Sequence, residues 1–230
     1  KQFSARMRVQ FTPSLIFLDE QGRVAMRING YFPPHKFKAA LDYVAGGHEK
    51  DQKFQDYLAT LEPVQASGKI QPEAFFLPQP LKLGDNRRSS SRPLMVVFEQ
   101  AQCAACDELH QQSLKNQPLV TALSNLDVAQ LDMRSGDMLQ TPDGSNMPVR
   151  QWAQSLGVQY APSMVFFDRE GKEVFRVEAY LKSFHLHAAA DYVATAAYLR
   201  QPNFQRFIQH RADTLNAAGF VIDLMSCSGV

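Results

Sequence analysis

Residues 98–110 read FEQAQCAACDELH, and this stretch holds two of the chain's three cysteines, Cys103 and Cys106. It follows Leu94-Met95-Val96-Val97-Phe98, a short, apolar, β-rich run with the pattern of a buried strand. From Cys103 to about Asn116 no Gly or Pro intervenes, and small or apolar residues gather on one face, so a helix is expected to open at Cys103. Two thiols at that spacing admit three readings: a redox pair, half of a metal site, or two inert thiols.

The downstream sequence supplies the rest of a fold. Leu126 to Met133 alternates and reads as a strand, while Ser135 to Pro148 is rich in Gly, Pro, Asp and Asn and reads as a loop. Val149 to Leu156 predicts a helix ending at Gly157. Ser163 to Phe167 and Glu173 to Glu178, joined by a turn at Asp168 to Gly171, predict a hairpin. Ser183, a candidate N-cap, opens an Ala-rich helix to about Leu199, and residues 202–218 suggest one more. The expected order is βαβαββα with a helical extension.

Composition narrows the function classes. The 230 residues suffice for one large domain or two small ones. With 24 Lys+Arg against 23 Asp+Glu, the net charge of +1 provides no field for gathering nucleic acid or an anionic membrane. No apolar stretch approaches the roughly 18 residues of a spanning helix. Three cysteines are too few for a disulfide framework and leave at least one unpaired within the chain. The chain starts at Lys1 without an initiator Met or a signal peptide, so any targeting segment is expected to have been removed or to lie outside this sequence.

Self-comparison is more informative. Residues 9–45, VQFTPSLIFLDEQGRVAMRINGYFPPHKFKAALDYVA, align without a gap to residues 158–194, VQYAPSMVFFDREGKEVFRVEAYLKSFHLHAAADYVA. Pro13, Ser14, Asp19, Gly22, Arg27 and Tyr31 match Pro162, Ser163, Asp168, Gly171, Arg176 and Tyr180. After a one-residue slip, Phe54-Gln55 matches Phe204-Gln205. Two copies of one unit are therefore expected: an incomplete first copy over residues 1–62, a solvated linker over 63–91, and a complete copy over 92–225. The first copy lacks the segment that carries cysteines in the second, which favours a fragment of a longer protein. Its exposed edges predict pairing with another polypeptide. Arg87, Arg88 and Arg92 in the linker lack the interleaved aromatics of a nucleic-acid patch, and no nucleic-acid partner is expected.

A CxxC that follows a strand and opens a helix, with Ala161-Pro162-Ser163 introducing a later hairpin, resembles the thioredoxin fold: an α/β fold with a central mixed sheet flanked by helices. The resemblance covers residues 92–199 in full and residues 1–45 as a half unit. VVFEQAQCAACDELH followed by APSMVFFDREGKEVFRVEAY is similar to the SoxW-like branch of bacterial periplasmic thioredoxins. The resemblance implies a periplasmic thiol–disulfide oxidoreductase, acting as a reductase on cysteine-containing proteins, with electrons from a membrane thiol donor and no cofactor. Oxidation or isomerisation is the alternative direction, and a redox-silent peptide-binding module is the alternative class. Cys103 would be the exposed nucleophile, Cys106 the less exposed resolving thiol, and Pro162 the cis-proline facing the dithiol. Ala161 would offer its backbone to an extended substrate, beside Gln102 and Tyr160, and Pro13 would be the matching proline of the first unit. The sequence departs from ordinary thioredoxin at Gln102, at the Ala-Ala pair between the cysteines, and at Val97, which replaces a buried Asp.

The chemistry suits these positions. A thiol at a helix N-terminus meets unpaired N–H groups and the positive end of the helix dipole, which lower its pKa. A thiol one turn on can close a disulfide and release a bound substrate. Glu99, at the end of the strand, is the candidate proton shuttle, against a reading as a hydrogen-bonded strand-end carboxylate. His110, four residues after Cys106 and on the same helix face, reads as a packed or surface histidine, with a thiolate partner as the functional alternative. Structural zinc needs four converging ligands. His185 and His187 point apart on a helix and there is no second CxxC, so no metal is expected. Cys227 sits in a tail expected to be disordered.

Overall fold

The computed structural model describes residues 7, 9, 14–29, 34–61, 66–178 and 183–219. In chain order these form β1 (Ser14–Leu18), β2 (Val24–Asn29), α1 (Pro34–Ala45), α2 (Phe54–Leu61), α3 (Leu83–Ser89) and β3 (Leu94–Glu99). They continue with α4 (Ala104–Gln111), α5 (Gln117–Leu123), β4 (Asp127–Asp132), β5 (Met138–Gln140), β6 (Asn146–Pro148) and α6 (Val149–Ser155). The last elements are β7 (Ser163–Phe167), β8 (Glu173–Val177), α7 (Ser183–Ala194) and α8 (Phe204–Ala217). Pro13, Tyr31, Tyr180 and Cys227 lie outside the described residues.

The main sheet has the order β4-β3-β7-β8, with β3 parallel to β4 and the other pairs antiparallel. All six residues of β3 are buried, because helices cover both faces of this central strand, and its sequence is accordingly a continuous apolar run. Met95 and Val97 enter a cluster with Leu109 of α4, Leu119 of α5, and Leu186 and Ala189 of α7. Leu94, Val96 and Phe98 face the opposite way, toward Leu83 of α3, Trp152 of α6 and both CxxC cysteines. The mixed sheet between two helical layers is the architecture the sequence predicts.

The stretch read as a solvated linker, 63–91, is a correction: its described part packs onto the sheet. Phe76 bridges Val128 in parallel, and Leu77 N–H donates to the Val128 carbonyl at 2.7 Å. Arg87 is buried against Asp127, with Nη2 to Oδ2 at 2.6 Å. Arg88 pairs with Asp85, and Arg92 donates to the Ser124 carbonyl at 2.8 Å. The unit therefore begins well before residue 92. The helix predicted from Cys103 to about Asn116 also ends earlier, at Gln111, and gives way to a 3-10 turn over Ser113–Lys115. A separate helix follows, capped by Asn116, whose side chain accepts from Leu119 N–H at 3.1 Å. The predicted loop over Ser135 to Pro148 contains the hairpin β5–β6, closed around Asp143, which accepts from Thr141 Oγ1 at 2.5 Å and Ser145 N at 3.0 Å.

The elements β1, β2, α1 and α2 come in the same order as β7, β8, α7 and α8 and share several local features with them. Both hairpins turn on an aspartate whose Oδ1 accepts two backbone N–H groups: those of Gln21 and Arg23 for Asp19, those of Glu170 and Lys172 for Asp168. Gly22 (φ 75°) and Gly171 (φ 83°) supply the left-handed residue each turn requires. The register shifts at Phe17/Leu18 and at Phe166/Phe167. Tyr43 Oη donates to the Gln52 carbonyl, as Tyr192 Oη does to that of Gln201. The difference is cover. β7 is flanked by β3 and wholly buried, whereas β1 has β2 alone as its partner among the described residues and is half-buried.

Candidate active site

The strand–loop–helix passage around FEQAQCAACDELH builds the site. Cys103 is the N-cap of α4, in extended conformation (φ −150°, ψ 92°), and its sulfur accepts from Cys106 N–H at 3.0 Å. This sulfur therefore meets the unsatisfied donors and the positive end of α4, as the spacing predicts. Cys103 and Cys106 form a disulfide, with S–S 2.06 Å and Cα–Cα 5.2 Å. The expected difference in exposure is not found. Cys103 is 2% exposed and Cys106 5%, because both belong to the apolar cluster that contains Phe98, Trp152 and Ala161. The segment before α3 also passes here. Ser67 bonds Asp107, the residue after Cys106, and Gly68 lies near Gln102, the residue before Cys103: a Cβ added there would be in ordinary contact with Gln102 Nε2.

The β3–β7 register pairs Phe98 with Ser163, so the residues before Ser163 reach the sheet end where the CxxC emerges. The Ala161–Pro162 peptide is cis, and Ala161 packs in the same cluster as both cysteines. Of the expected substrate-binding residues, Gln102 is exposed, while Ala161, Pro162 and Tyr160 are buried. Tyr160 turns inward, and its carbonyl accepts from Ser163 Oγ at 2.7 Å.

Glu99 closes β3 on the same face as Val97 and is 1% exposed. Its Oε1 lies 3.0 Å from His110 Nε2, and its Oε2 accepts from Gln130 Nε2 at 2.6 Å. His110, also 1% exposed, places its other nitrogen, Nδ1, 3.0 Å from Glu73 Oε1. Glu73 in turn accepts from Lys115 Nζ at 3.0 Å, at the surface. Burial would lower the His110 pKa, but hydrogen bonds and charge from Glu99 and Glu73 outweigh it, and the net shift is upward. His110 is thus packed, as read, but between two carboxylates. Glu73 and Gln130 escaped the sequence reading. Glu73 lay in the supposed linker with no local signal, whereas Gln130 could have been found as the polar residue that breaks the apolar face of β4.

Elsewhere, His187 lies against Asp191 and Arg211. A mixed sheet between helical layers, with a CxxC disulfide at a helix N-terminus beside a cis-proline loop, defines a thioredoxin-type protein. A family model described as a thioredoxin-like domain matches residues 1–45 and 85–194, well over half the chain, and the chain belongs to that family. Among solved structures it is similar to a thioredoxin-fold protein from Helicobacter pylori, at 17% identity over 54% of this chain and 86% of that one, with TM-score 0.48. It is also similar to a thioredoxin from Thermus thermophilus (19% identity, 63% and 91% covered, TM-score 0.36). A disulphide isomerase from Xylella fastidiosa Temecula1 is similar at 18% identity, with 57% and 86% covered and TM-score 0.32. No curated protein matches the chain.

Proposed function

We propose that the chain is a thiol–disulfide oxidoreductase of protein cysteines, working through Cys103 and Cys106 and running as a reductase. The observation that carries this reading is the Cys103–Cys106 disulfide at the N-terminus of α4, packed against Ala161 of the cis-proline loop. Cys103 as thiolate attacks a substrate disulfide. Its sulfur bonds one substrate sulfur, and the other leaves with the electron pair. Cys106 then attacks Cys103, the substrate's second thiol is released, and the enzyme disulfide remains. Glu99 takes the Cys106 proton. Substrate backbone pairs beside Ala161 once the site opens, next to Gln102.

The duplicated hairpin and helices support two tandem units, of which residues 14–61 form part of the first. By its resemblance to the SoxW-like branch, the protein works in the periplasm and draws electrons from a membrane thiol donor. In the test, Cys106→Ser traps substrates as mixed disulfides on Cys103, read by non-reducing electrophoresis and mass spectrometry, and Cys103→Ser abolishes exchange. Trapping by neither variant contradicts the assignment.

A further inference from the structure

Residues 1–62 carry no cysteine, yet their described part stands beside the chain that leads into the cis-proline loop. Among the described residues a cavity of about 420 Å³ lies between the two. One wall comes from β2, α1 and the segment leading into α2, with Met26, Tyr43, Gln52 and Phe54. The other comes from the end of α6 and the chain after it, with Gln154, Val158 and Gln159. The volume falls within the range of about 300–1,000 Å³ usual for ligand pockets, which favour the junctions of structural units. The first wall is braced from within. Tyr43 Oη donates to the Gln52 carbonyl at 2.5 Å, and the Tyr43 ring meets that of Phe54 edge-on at 5.1 Å. Asp56 of α2 pairs with Arg134, beyond β4, and so joins the two sides.

The lining states what the cavity suits. Met26, Tyr43, Phe54 and Val158 are buried and give it an apolar base. Gln52, Gln154 and Gln159 bring side-chain amides, each able to donate and to accept, as a peptide group does. The charges of Glu49, Lys50, Asp51 and Lys53 cancel, so the wall selects neither a cation nor an anion. Position links the cavity to the chemistry. Gln159 is two residues before Ala161, at most about 7 Å of chain, and Ala161 packs with both cysteines. A substrate running extended beside Ala161 covers that span with about two residues.

We propose that this cavity is a second subsite for polypeptide substrates, in which residues 14–61 help to hold the extended segment flanking the disulfide that Cys103 attacks. The proposal rests on the dithiol reading and deepens it by naming the substrate class: polypeptides with an apolar side chain roughly two to four residues from the reacting cysteine. That side chain enters over Met26 and Phe54, and the peptide groups on either side of it pair with the glutamine amides. The cysteine-free part of the chain thus supplies binding, while residues 103 and 106 supply the chemistry. These contacts lie away from the reacting sulfurs and are made equally before and during attack. They therefore set the concentration at which substrate saturates, not the limiting rate. A small disulfide with no polypeptide attached gains nothing from them.

The test uses the full chain carrying Cys227→Ser, so that the third thiol does not consume the probe. The reduced protein is mixed in stopped flow with an excess of one of two disulfides. One is dithiobis-nitrobenzoate. The other is a peptide of extended apolar sequence around a single cysteine, joined through that cysteine to thionitrobenzoate. Cys103 bonds the peptide sulfur and thionitrobenzoate leaves with the electron pair, so both probes are read by the same absorbance. Gln154→Trp and Lys53→Trp each put a bulky ring into the cavity from an exposed position, one from each wall. Each is expected to raise the half-saturating concentration of the peptide about tenfold, which is about 1.4 kcal/mol of binding, with the limiting rate retained. The loss should be confined to the peptide. A half-saturating concentration equal to the parent's in both variants overturns the subsite, as does an equal loss with both probes or a peptide rate that never saturates in the parent. If one variant fails to fold, the other decides. A parent that releases thionitrobenzoate from neither probe removes the dithiol reading itself, and the subsite falls with it.

Discussion

Ser67 donates to Asp107 twice, through its backbone N–H at 2.7 Å to Oδ2 and through its hydroxyl at 2.6 Å to Oδ1. Gln71 Nε2 adds a third bond to the same carboxylate at 2.9 Å. Asp107 follows Cys106 directly, so these bonds tie the segment before α3 across the first turn of α4. With Gly68 near Gln102, the strap runs past the residue on each side of the CxxC.

The first prediction concerns access. Ser67→Ala removes one bond to a carboxylate and costs about 1.5–3 kcal/mol. The loosened strap should raise the iodoacetamide reaction rate of Cys103 in the reduced protein. The comparison is alkylation kinetics by mass spectrometry in Ser67→Ala and parent, and equal rates would show that the strap does not limit access.

Acid and base should weaken the fold through different residues. Burial would raise the Asp107 pKa, but the bonds from Ser67 and Gln71 prevail and hold it below the ordinary 3.8. Its stabilisation is therefore present above that value and is lost as pH falls through the depressed folded one. His110 runs oppositely. Its folded pKa is raised above 6.5, so its contribution is complete below 6.5 and disappears as pH rises through the folded value. The difference in Tm between parent and His110→Gln should shrink on going from pH 6 to pH 9. A difference independent of pH would contradict this assignment.

The buried pair Arg87–Asp127 gives a stability test far from the dithiol. Asp127→Ala leaves the Arg87 guanidinium buried beside the carbonyl of Arg92, to which Nη1 donates at 2.5 Å, and without its carboxylate. Breaking one side of such a pair costs about 3–5 kcal/mol. The double variant Arg87→Met, Asp127→Leu should recover most of that loss, since an apolar replacement needs no partner. Urea unfolding of the three proteins checks the order, and a double variant less stable than Asp127→Ala would contradict it.

How far the sequence discloses this molecule follows from where its signals are local. The apolar run Leu94 to Phe98, the CxxC and the hairpin after Pro162 each carry their own pattern, and together they define the sheet and the dithiol. The likeness between residues 9–45 and 158–194 is legible because it is local: Asp19 and Asp168 close turns with matching backbone bonds, and Tyr43 and Tyr192 each donate to a carbonyl nine residues on. What is not legible depends on long-range contact. Residues 63–91 read as linker because Pro, Gly and Arg are abundant, yet Arg87 finds Asp127 and Phe76 finds Val128 across the fold. Glu73 meets His110 only through that packing, so no spacing rule pairs them. The burial of Cys103 is of the same kind, because it follows from tertiary neighbours rather than from its place at a helix start.

The measurement that bears most directly on the central claim is the equilibrium of the Cys103–Cys106 pair in graded dithiothreitol and glutathione buffers. Alkylation and mass spectrometry read it, with Cys227→Ser to keep the count to one pair. The account predicts one reversible two-electron transition near the thioredoxin potential of about −270 mV. A transition at about −120 to −180 mV would make the protein an oxidant or isomerase. No reversible transition at any buffer ratio would contradict the assignment of this pair as a redox centre.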